Sequence, residues 1–486
     1  MRMRGYGIIL VSAIGFLLSG CMVGPRYAKP AVPVTPYFEE TEEWKEGDGW
    51  KVAQPDDDLI RGKWWELYGD ARLNELEEQV DSSNQDLKIA EANLRQARAA
   101  IRFNRASQAP TIGSSPSISD IRDSANQPYF PSSLANNGTG EFILPVDLSY
   151  EVDLWGRVRR SVAAAKQRAQ ASAADLQTAR LSLHAEVAID YFEIRSADAQ
   201  ERLLNDTVKA YTEALRLTQN RFEGGASPKS DVAQAETQLK AAQVLASDIT
   251  VQRAQYEHAL AILIGKPPAA FHLAVSPLNL VAPVLPSVPV TLPARLLERR
   301  PDIAAAERRM ASNNEQIGIA KAAYYPTLNL AAIAGLEGSS ILNWFSWPSR
   351  LWAVGPQLSE TLFDGGRRRA TSESARAGYD AAVAGYRQTV LDAFQQVEDN
   401  LVVLRVLSTE SAQQQQATSA AEESLKLFQN RYAGGVDTYL QVVTSQTTAL
   451  TNERNDIDIL RRRLEANVLL IKAVGGGWDV SNLPPS

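Results

Sequence analysis

Cys21 is the residue of this chain whose type and position point most directly to chemistry. It is the only cysteine among the 486 residues, so it cannot form a disulfide within the chain. Before it stand Arg2 and Arg4, then an apolar run, then the triplet Leu18-Ser19-Gly20. This order looks like a lipobox, where a signal peptide is removed and the cysteine becomes lipidated. We therefore expect a signal peptide at residues 1–20 and acyl chains such as palmitate on Cys21.

Lipidation at Cys21 would hold the chain firmly to a bilayer, because several acyl chains would insert together. In lipoproteins of this type, aspartate after the cysteine usually causes retention in the inner membrane. This chain has Met22 there, which favours the outer membrane of a Gram-negative cell. The alternative is an ordinary signal peptide, or a short anchor helix, followed by a cysteine by chance.

Elsewhere the residue types do not have the spacing of a catalytic or metal site. The histidines, His184, His258 and His272, are far apart in the sequence, so each is expected to be a surface or packing residue. The sequence has no Walker-type phosphate loop, and its net charge of −7 argues against a nucleic-acid partner. We predict that the protein is not an enzyme and has no cofactor beyond the covalent lipid.

Two segments with the same pattern, residues 217–225 and 427–435, indicate an internal duplication. Each contains Asn-Arg-aromatic-x-Gly-Gly at the end of a long helical run. The glycine pairs, Gly224-Gly225 and Gly434-Gly435, are expected to end those runs in a left-handed turn. Ser227 and Pro228 then offer an N-cap and a first helical residue for the helix that follows.

Charged and aromatic side chains stand just before each glycine pair. Arg221 and Arg431 would interact favourably with the negative end of the helix macrodipole. Phe222 and Tyr432 would pack in the seam between helices. The alternative is that these residues link adjacent helical hairpins to one another.

The helices that lead into these turns are predicted to be very long. Residues 157–223 contain neither glycine nor proline over 67 positions, about 100 Å of helix. Residues 367–433 form a matching run without proline. Both are rich in Ala, Gln and Ser and lack the Leu and Ile repeat of a solid coiled coil. This favours a hollow tube, with a solvated antiparallel hairpin that bundles as the alternative.

Between the helical runs the sequence predicts β-strands that have one apolar face. The alternation is clearest at residues 142–154, where every second residue is apolar. Thirteen residues of strand would span about 40 Å, more than a membrane strand needs. No run of 18 apolar residues follows Cys21, so we expect strands to make any membrane crossing.

These signals divide the chain into two structural repeats, each with a helix, two strands and a long helical hairpin. A lipidated tether precedes them, a linker separates them and a tail follows them. The predicted segments are the tether at 21–63, the first repeat at 64–265, the linker at 266–293, the second repeat at 294–474 and the tail at 475–486. The first repeat is predicted to contain strands 111–122 and 140–155 and hairpin 157–264. The second is predicted to contain strands 327–336 and 350–363 and hairpin 367–474.

Four strands are too few to form a closed barrel. An open sheet edge in lipid leaves unpaired N–H and C=O groups that each cost several kcal/mol. The smallest closed membrane barrels have eight strands. The sequence therefore predicts that the chain oligomerises.

With these features the chain resembles the TolC-like outer-membrane efflux family, in its lipoprotein branch typified by OprM. The resemblance covers nearly the whole mature chain. It rests on the order and duplication of several motifs, not on any one of them. They are the lipobox at Cys21, Lys63-Trp64-Trp65, Asp153-Leu-Trp-Gly-Arg157, Arg299-Arg-Pro-Asp302, Leu362-Phe-Asp-Gly-Gly-Arg367 and the two Asn-Arg-aromatic-x-Gly-Gly turns.

The resemblance implies an α+β membrane protein that forms a homotrimer. Its twelve transmembrane strands would make one β-barrel, continued by an α-helical barrel in the periplasm. It also implies an outer-membrane exit duct that passively conducts small molecules such as antibiotics. A periplasmic adaptor and an inner-membrane RND-type transporter would load the duct. The alternatives are a duct for type I protein secretion and a lipid-anchored spacer without a pore.

The resemblance also implies roles for the turn residues. Asp437 lies in a segment similar to one that supplies an acidic ring at the periplasmic constriction, where like charges would raise each other's pKa. Arg431 and Tyr432 would belong to the same gate. Asp437 could equally be a helix N-cap, and Val442–Gln446 lacks a second acidic position. The residues expected to form the tips that dock the adaptor are Arg221, Phe222, Gly224, Gly225, Gly434 and Gly435.

Overall fold

The computed structural model describes residues 22–32, 34–35, 38–39, 62–124, 126, 138–279, 285–286, 288, 297–479, 481 and 483. The predicted signal peptide, Cys21, most of the tether and parts of the linker and tail lie outside the described residues. The protein is mostly helical and has one antiparallel sheet. In the described part of the chain, no helix combines the length and apolar character needed to cross a membrane.

The helices fall into two series that match in length. A 3-10 helix at Trp64–Tyr68 precedes the first series. The helices are α1 Ala71–Ser83, α2 Gln85–Ala106, α3 Arg157–Glu223, α4 Lys229–Leu263, α5 Pro301–Ala322, the short α6 Ile341–Trp344, α7 Arg367–Ala433 and α8 Tyr439–Ala473. Helices α2 and α5 both have 22 residues, α3 and α7 have 67, and α4 and α8 have 35, as duplication predicts.

The helical segment that opens the first repeat is interrupted twice. Gly69 adopts a left-handed φ of 64° after the 3-10 helix. Asn84 then separates α1 from α2, because its side chain accepts a hydrogen bond from the amide of Leu87. Its amide group also donates to the carbonyl of Leu263 at 2.8 Å, which fixes this corner to the end of α4.

The sheet contains five strands, and the first two along the chain lie end to end and share one of its four strand positions. They are β1 Thr111–Gly113, β2 Ser117–Ile121, β3 Thr139–Val152, β4 Thr327–Gly338 and β5 Arg350–Ser359. Strands β1 and β2 both pair with β3, which pairs with β4, which pairs with β5. The single strand expected at 111–122 is therefore broken, and Pro116, which has no N–H to donate, lies in the break.

The ends of the other strands also differ from prediction. Strand β4 extends to Gly338, and β5 ends at Ser359, so Glu360 lies beyond the strand. The hydrogen-bond ladder, which the sequence pattern did not specify, decides these ends.

The register brings most of the large apolar residues of the strands to one face. Val146 pairs with Ala334, which pairs with Trp352 on its other side. The opposite face carries polar residues, among them Asp147, Glu151, Asn329 and Gln357. The apolar face carries Arg350 at the start of β5 and otherwise includes Ile112, Ile118, Phe142, Leu144, Val146, Leu148, Tyr150, Val152, Leu328, Leu330, Ala332, Ala334, Leu336, Trp352, Val354 and Leu358.

The largest buried core lies midway along the helices, away from the sheet. There the 3-10 helix and α1 pack against α3, α4 and α8, with Trp64, Trp65 and Leu76 fully enclosed. Burial of these large apolar side chains supplies about 1.5–3 kcal/mol each. The core holds the two hairpins in a fixed relation, which positions the turns at their far ends.

Candidate functional site

The two helix–helix turns have the same backbone geometry. In the first turn, the amide of Ala226 donates to the carbonyl of Arg221 at 2.8 Å, and Gly225 donates to Phe222 at 2.9 Å. In the second, Val436 donates to Arg431 at 2.9 Å. These six-to-one bonds define a Schellman motif, which satisfies the last carbonyls of each long helix.

Only the second glycine of each pair needs to be glycine. Gly225 and Gly435 have φ of 73° and 76°, in the left-handed region. Gly224 and Gly434 have φ of −77° and −76°, which any residue adopts. The expectation that both members of each pair form the left-handed turn is therefore wrong for the first member.

This difference gives a matched pair of substitutions. Gly435→Ala should destabilise the turn by about 1–2 kcal/mol, because a Cβ is strained at this φ. Amide exchange at residues 431–436 should then rise roughly 5- to 30-fold by hydrogen–deuterium exchange. Gly434→Ala should leave exchange unchanged or slower, since its Cβ would make ordinary contacts with the carbonyl oxygens of Asn430 at 3.5 Å and Arg431 at 3.6 Å. Equal effects of the two substitutions would contradict the assignment.

Arg221 connects the first turn to the second. Its Nη1 donates to the main-chain carbonyl of Tyr432 at 3.0 Å. Its guanidinium lies 4.6 Å from the centre of the Tyr432 ring, a cation–π contact. Arg221 therefore links the two hairpins of one chain. Its role is not confined to the end of its own helix.

Tyr432 is buried in a small apolar cluster at the tips. Its ring lies 5.2 Å from the ring of Tyr439 and contacts Val442 and Ala235. Burial raises the pKa of Tyr439 to about 12, with a further rise from Tyr432. The Tyr439 phenol therefore stays neutral at physiological pH. Tyr439 was not predicted, because its repeat equivalent is Lys229 and the pattern gave no signal for it.

Asp437 pairs with Arg431 and does not cap a helix. Its carboxylate accepts from Nε and Nη2 of Arg431, the latter at 3.3 Å. The N-caps of α8 and α4 are Thr438 and Pro228, and neither makes a side-chain cap bond. The N-cap interpretations of Asp437 and Ser227 are therefore wrong, and Pro228 precedes the first helical residue, Lys229.

The pKa of Asp437 moves in the direction opposite to that expected for an acidic ring. The hydrogen bond from Arg431 lowers it, and the charge of Arg431 adds to the effect. A lowered pKa means that the ion pair is present above the ordinary aspartate value of about 3.9 and is lost as pH falls through the folded value. We expect closed-state leakage in planar bilayers to be constant from pH 7.5 to 5. A transition in this range that Asp437→Asn removes would instead indicate a like-charge ring.

Exposed apolar side chains surround the turns. Phe222 is 43% exposed, in contrast to its repeat equivalent Tyr432, and Val436 and Leu440 are also exposed. Leu217 and Leu427 lie about two turns before the glycine pairs and are exposed too. The sequence analysis identified Phe222 but not the other four. An isolated apolar residue gives no signal that tells an exposed position from one packed between helices.

A buried acid–histidine pair near the core was also missed. Nδ1 of His184 lies 2.7 Å from Oε2 of Glu77, and its ring stacks on Trp65 at 4.3 Å. Burial raises the pKa of Glu77 and lowers that of His184 to about 4, so the pair is neutral. His184 is thus a packing residue, while the His272 side chain is largely exposed. Within the described residues, no group of acidic, histidine or cysteine side chains could hold a metal.

Comparisons with known proteins agree with one another. The family model described as "Outer membrane efflux protein" matches residues 76–266 and 292–476. The outer membrane protein OprJ of Pseudomonas aeruginosa is 31% identical over 480 residues, 99% of this chain and 97% of OprJ. The solvent efflux pump outer membrane protein SrpC of Pseudomonas putida is 31% identical over 470 residues, 96% of this chain and 97% of SrpC.

Two solved structures have the same fold. The outer-membrane channel OprN superposes with a TM-score of 0.86 at 28% identity, covering 94% of this chain and 100% of that one. The MtrE outer membrane channel of Neisseria gonorrhoeae, in its open state, superposes with a TM-score of 0.81 at 26% identity, covering 95% and 99%.

Proposed function

Since the chain belongs to the outer membrane efflux protein family, we propose that it is the outer-membrane exit duct of a tripartite efflux pump. Three copies form one pore. A periplasmic adaptor and an inner-membrane RND-type transporter load it, and small molecules cross it passively. The observation that carries this proposal is a sheet with one apolar face, one polar face and, within the residues that the structure describes, two unpaired edges.

The two faces suit a strand that separates lipid from water. The apolar face runs across all four strand positions, and the charged residue on it between the levels of Phe142 and Val152 is Arg350, at the loop end of β5. Asp147 and Glu151 point to the opposite face, where water in a pore would solvate them. Alternation of this kind has no use in a spacer that lies wholly in the periplasm.

The sheet edges require further copies of the chain. Among the described residues, β5 pairs only with β4, while β1 and β2 pair only with β3. Each edge would leave backbone groups unpaired in lipid. Joining β5 of one copy to β1 and β2 of the next removes both edges. Three copies then supply twelve strand positions, the number that the family resemblance implies.

The helices of a single chain also leave one packing position unfilled. Helix α5 packs between α3 and α7, whereas its repeat equivalent α2 packs against α3 and makes no comparable contact with α7. The open side of α2 carries Ile89 and Phe103, both exposed. By the internal symmetry, α7 of the next copy fills this place. A closed ring of alternating helices around a hollow centre results.

The tip turns form the periplasmic gate. Within a chain, Arg221 holds the second turn through Tyr432. The equivalent contact between chains would join Arg431 to the turn that contains Phe222, but Arg431 is held by Asp437 instead. The exposed Phe222, Val436 and Leu440 make an apolar surface suited to docking the adaptor.

Lipidation of Cys21 agrees with the position of the first described residues. The amide of Val23 donates to the carbonyl of Trp155 at 3.2 Å, and Met22 lies against Gly156. Trp155 stands between β3 and α3, where the sheet gives way to the helices. Acyl chains on Cys21 would enter the leaflet that faces the helices, beside the strands.

Single-channel recording tests the proposal. The purified full chain in planar bilayers should give discrete conductance steps, and its gene should restore drug resistance to a strain that lacks its own duct. Absence of steps from correctly folded protein would favour the lipid-anchored spacer. Steps without restored resistance, together with restored export of a secreted protein, would favour the type I secretion duct.

A further inference from the structure

The connection between β4 and β5 holds a group of large, strongly exposed apolar side chains. Ile341, Leu342, Phe345 and Trp347 are between 64% and 91% exposed. They lie within seven residues, at the end of the sheet opposite the helices. Four large apolar side chains in water at one loop indicate an interaction surface.

The position of Trp344 shows on which side of the sheet this loop lies. A Cβ built on Gly338 would point to the apolar face and would meet Cα of Trp344 at 3.1 Å. The ring of Trp344 lies 5.5 Å from that of Phe142, which belongs to the apolar face, and its Nε1 donates to the carbonyl of Leu336 at 3.4 Å. The loop therefore folds back over the rim of the apolar face and away from the polar one.

We propose that Ile341–Trp347 is a membrane anchor that inserts into the outer leaflet around the rim of the pore. This rests on the proposed function, in which the apolar face of the sheet meets lipid. The loop continues that face beyond the last strand pair, so the same bilayer covers both. Aromatic side chains such as Trp347 are favoured at the level of lipid headgroups.

The charge beside the loop fits the same partner. The Arg350 guanidinium lies 3.0 Å from the centre of the Trp347 ring, and its Nε donates to the Trp347 carbonyl at 2.8 Å. The stacking leaves the exposed Arg350 positively charged at headgroup depth, where anionic lipid phosphates lie. A plug that closed the mouth of the pore would have required the loop on the polar face.

Fluorescence quenching in vesicles tests this placement. The full chain carries Cys21→Ala and an ordinary signal peptide, so that Leu342→Cys provides its one thiol. An environment-sensitive dye is attached to this thiol, and the protein is reconstituted into vesicles that contain phosphatidylglycerol. Glu141→Cys is the matched control, because it neighbours Phe142 at the same height on the polar face. Dye at 342 should be quenched at least 3-fold more by nitroxide-labelled lipid than dye at 141, and less by aqueous iodide.

The outcomes separate this inference from the function on which it rests. Channel conductance of each labelled protein is recorded first, so that only folded pores are compared. Conducting protein in which position 342 behaves like position 141 would overturn the anchor and indicate a loop over the pore mouth. Absence of conductance from the unlabelled, lipidated parent protein would instead count against the proposed duct.

Discussion

Replacing Arg221 with alanine is expected to make the isolated duct leak. The substitution removes the hydrogen bond to the Tyr432 carbonyl and the cation–π contact with its ring. A hydrogen bond from a charged group contributes about 1.5–3 kcal/mol, and the cation–π contact adds about 0.5–1 kcal/mol. Three copies lose this link at once, so the closed tip should open far more often. The closed-state current in planar bilayers should rise more than 10-fold, and cells should become sensitive to large antibiotics that normally stay outside.

The control for Arg221→Ala is another arginine on the same helix. Arg216 is exposed and, in the described part of the chain, pairs only with Glu213 one turn away, and such surface pairs contribute little. Arg216→Ala should leave the closed current unchanged. Arg221→Lys should leak to an intermediate extent, because lysine keeps the charge but not the planar group that stacks. A closed current in Arg221→Ala equal to that of the parent would show that the tips are held by other contacts.

Introducing arginine at Val146 is expected to block assembly of the barrel. Val146 lies near the middle of β3 on the apolar face. Arginine at the bilayer midplane of a barrel costs about 2–4 kcal/mol, and every copy in the ring carries it. The yield of heat-resistant oligomer in outer-membrane fractions should fall at least 10-fold.

The adjacent residue provides the matched control. Asp147 lies at the same depth on the polar face, so Asp147→Arg places the same side chain in water. It should assemble normally and change only the preference of the pore for cations or anions. If Asp147→Arg blocked assembly and Val146→Arg did not, the two faces would be assigned the wrong way round.

Local sequence signals sufficed for the elements with strong periodicity. The absence of glycine and proline between Arg157 and Glu223 predicted the 67 residues of α3. Alternation predicted β3 and its faces, because the side-chain period of a strand is two. Duplication then extended both predictions to the second half, where the alternation of β4 is weaker.

Contacts between distant residues could not be predicted in the same way. The link from Arg221 to Tyr432 joins turns from different halves of the chain. Asp437 pairs with Arg431 and does not cap α8. This depends on the position of its side chain, which the spacing of residues in the sequence does not determine. The neutral pair of Glu77 and His184 exists because the packing of α1 on α3 removes both from water.

The internal symmetry also predicts which residues meet between copies. Oγ of Ser312 in α5 lies 3.1 Å from the carbonyl of Ala164 in α3. When the two halves are aligned so that Pro326 matches Pro110, Ser312 matches Gln96. When they are aligned so that Arg367 matches Arg157, Ser374 matches Ala164. Gln96 and Ser374 are both exposed in the single chain, as expected for residues that a neighbouring copy covers.

Disulfide cross-linking of Gln96→Cys with Ser374→Cys tests the closed ring most directly. Oxidation in intact outer membranes should convert the double variant into covalent dimers and trimers on a non-reducing gel, and each single variant should remain monomeric. A double variant that conducts ions but never links beyond the monomer would show that copies of this chain do not complete one another's helices.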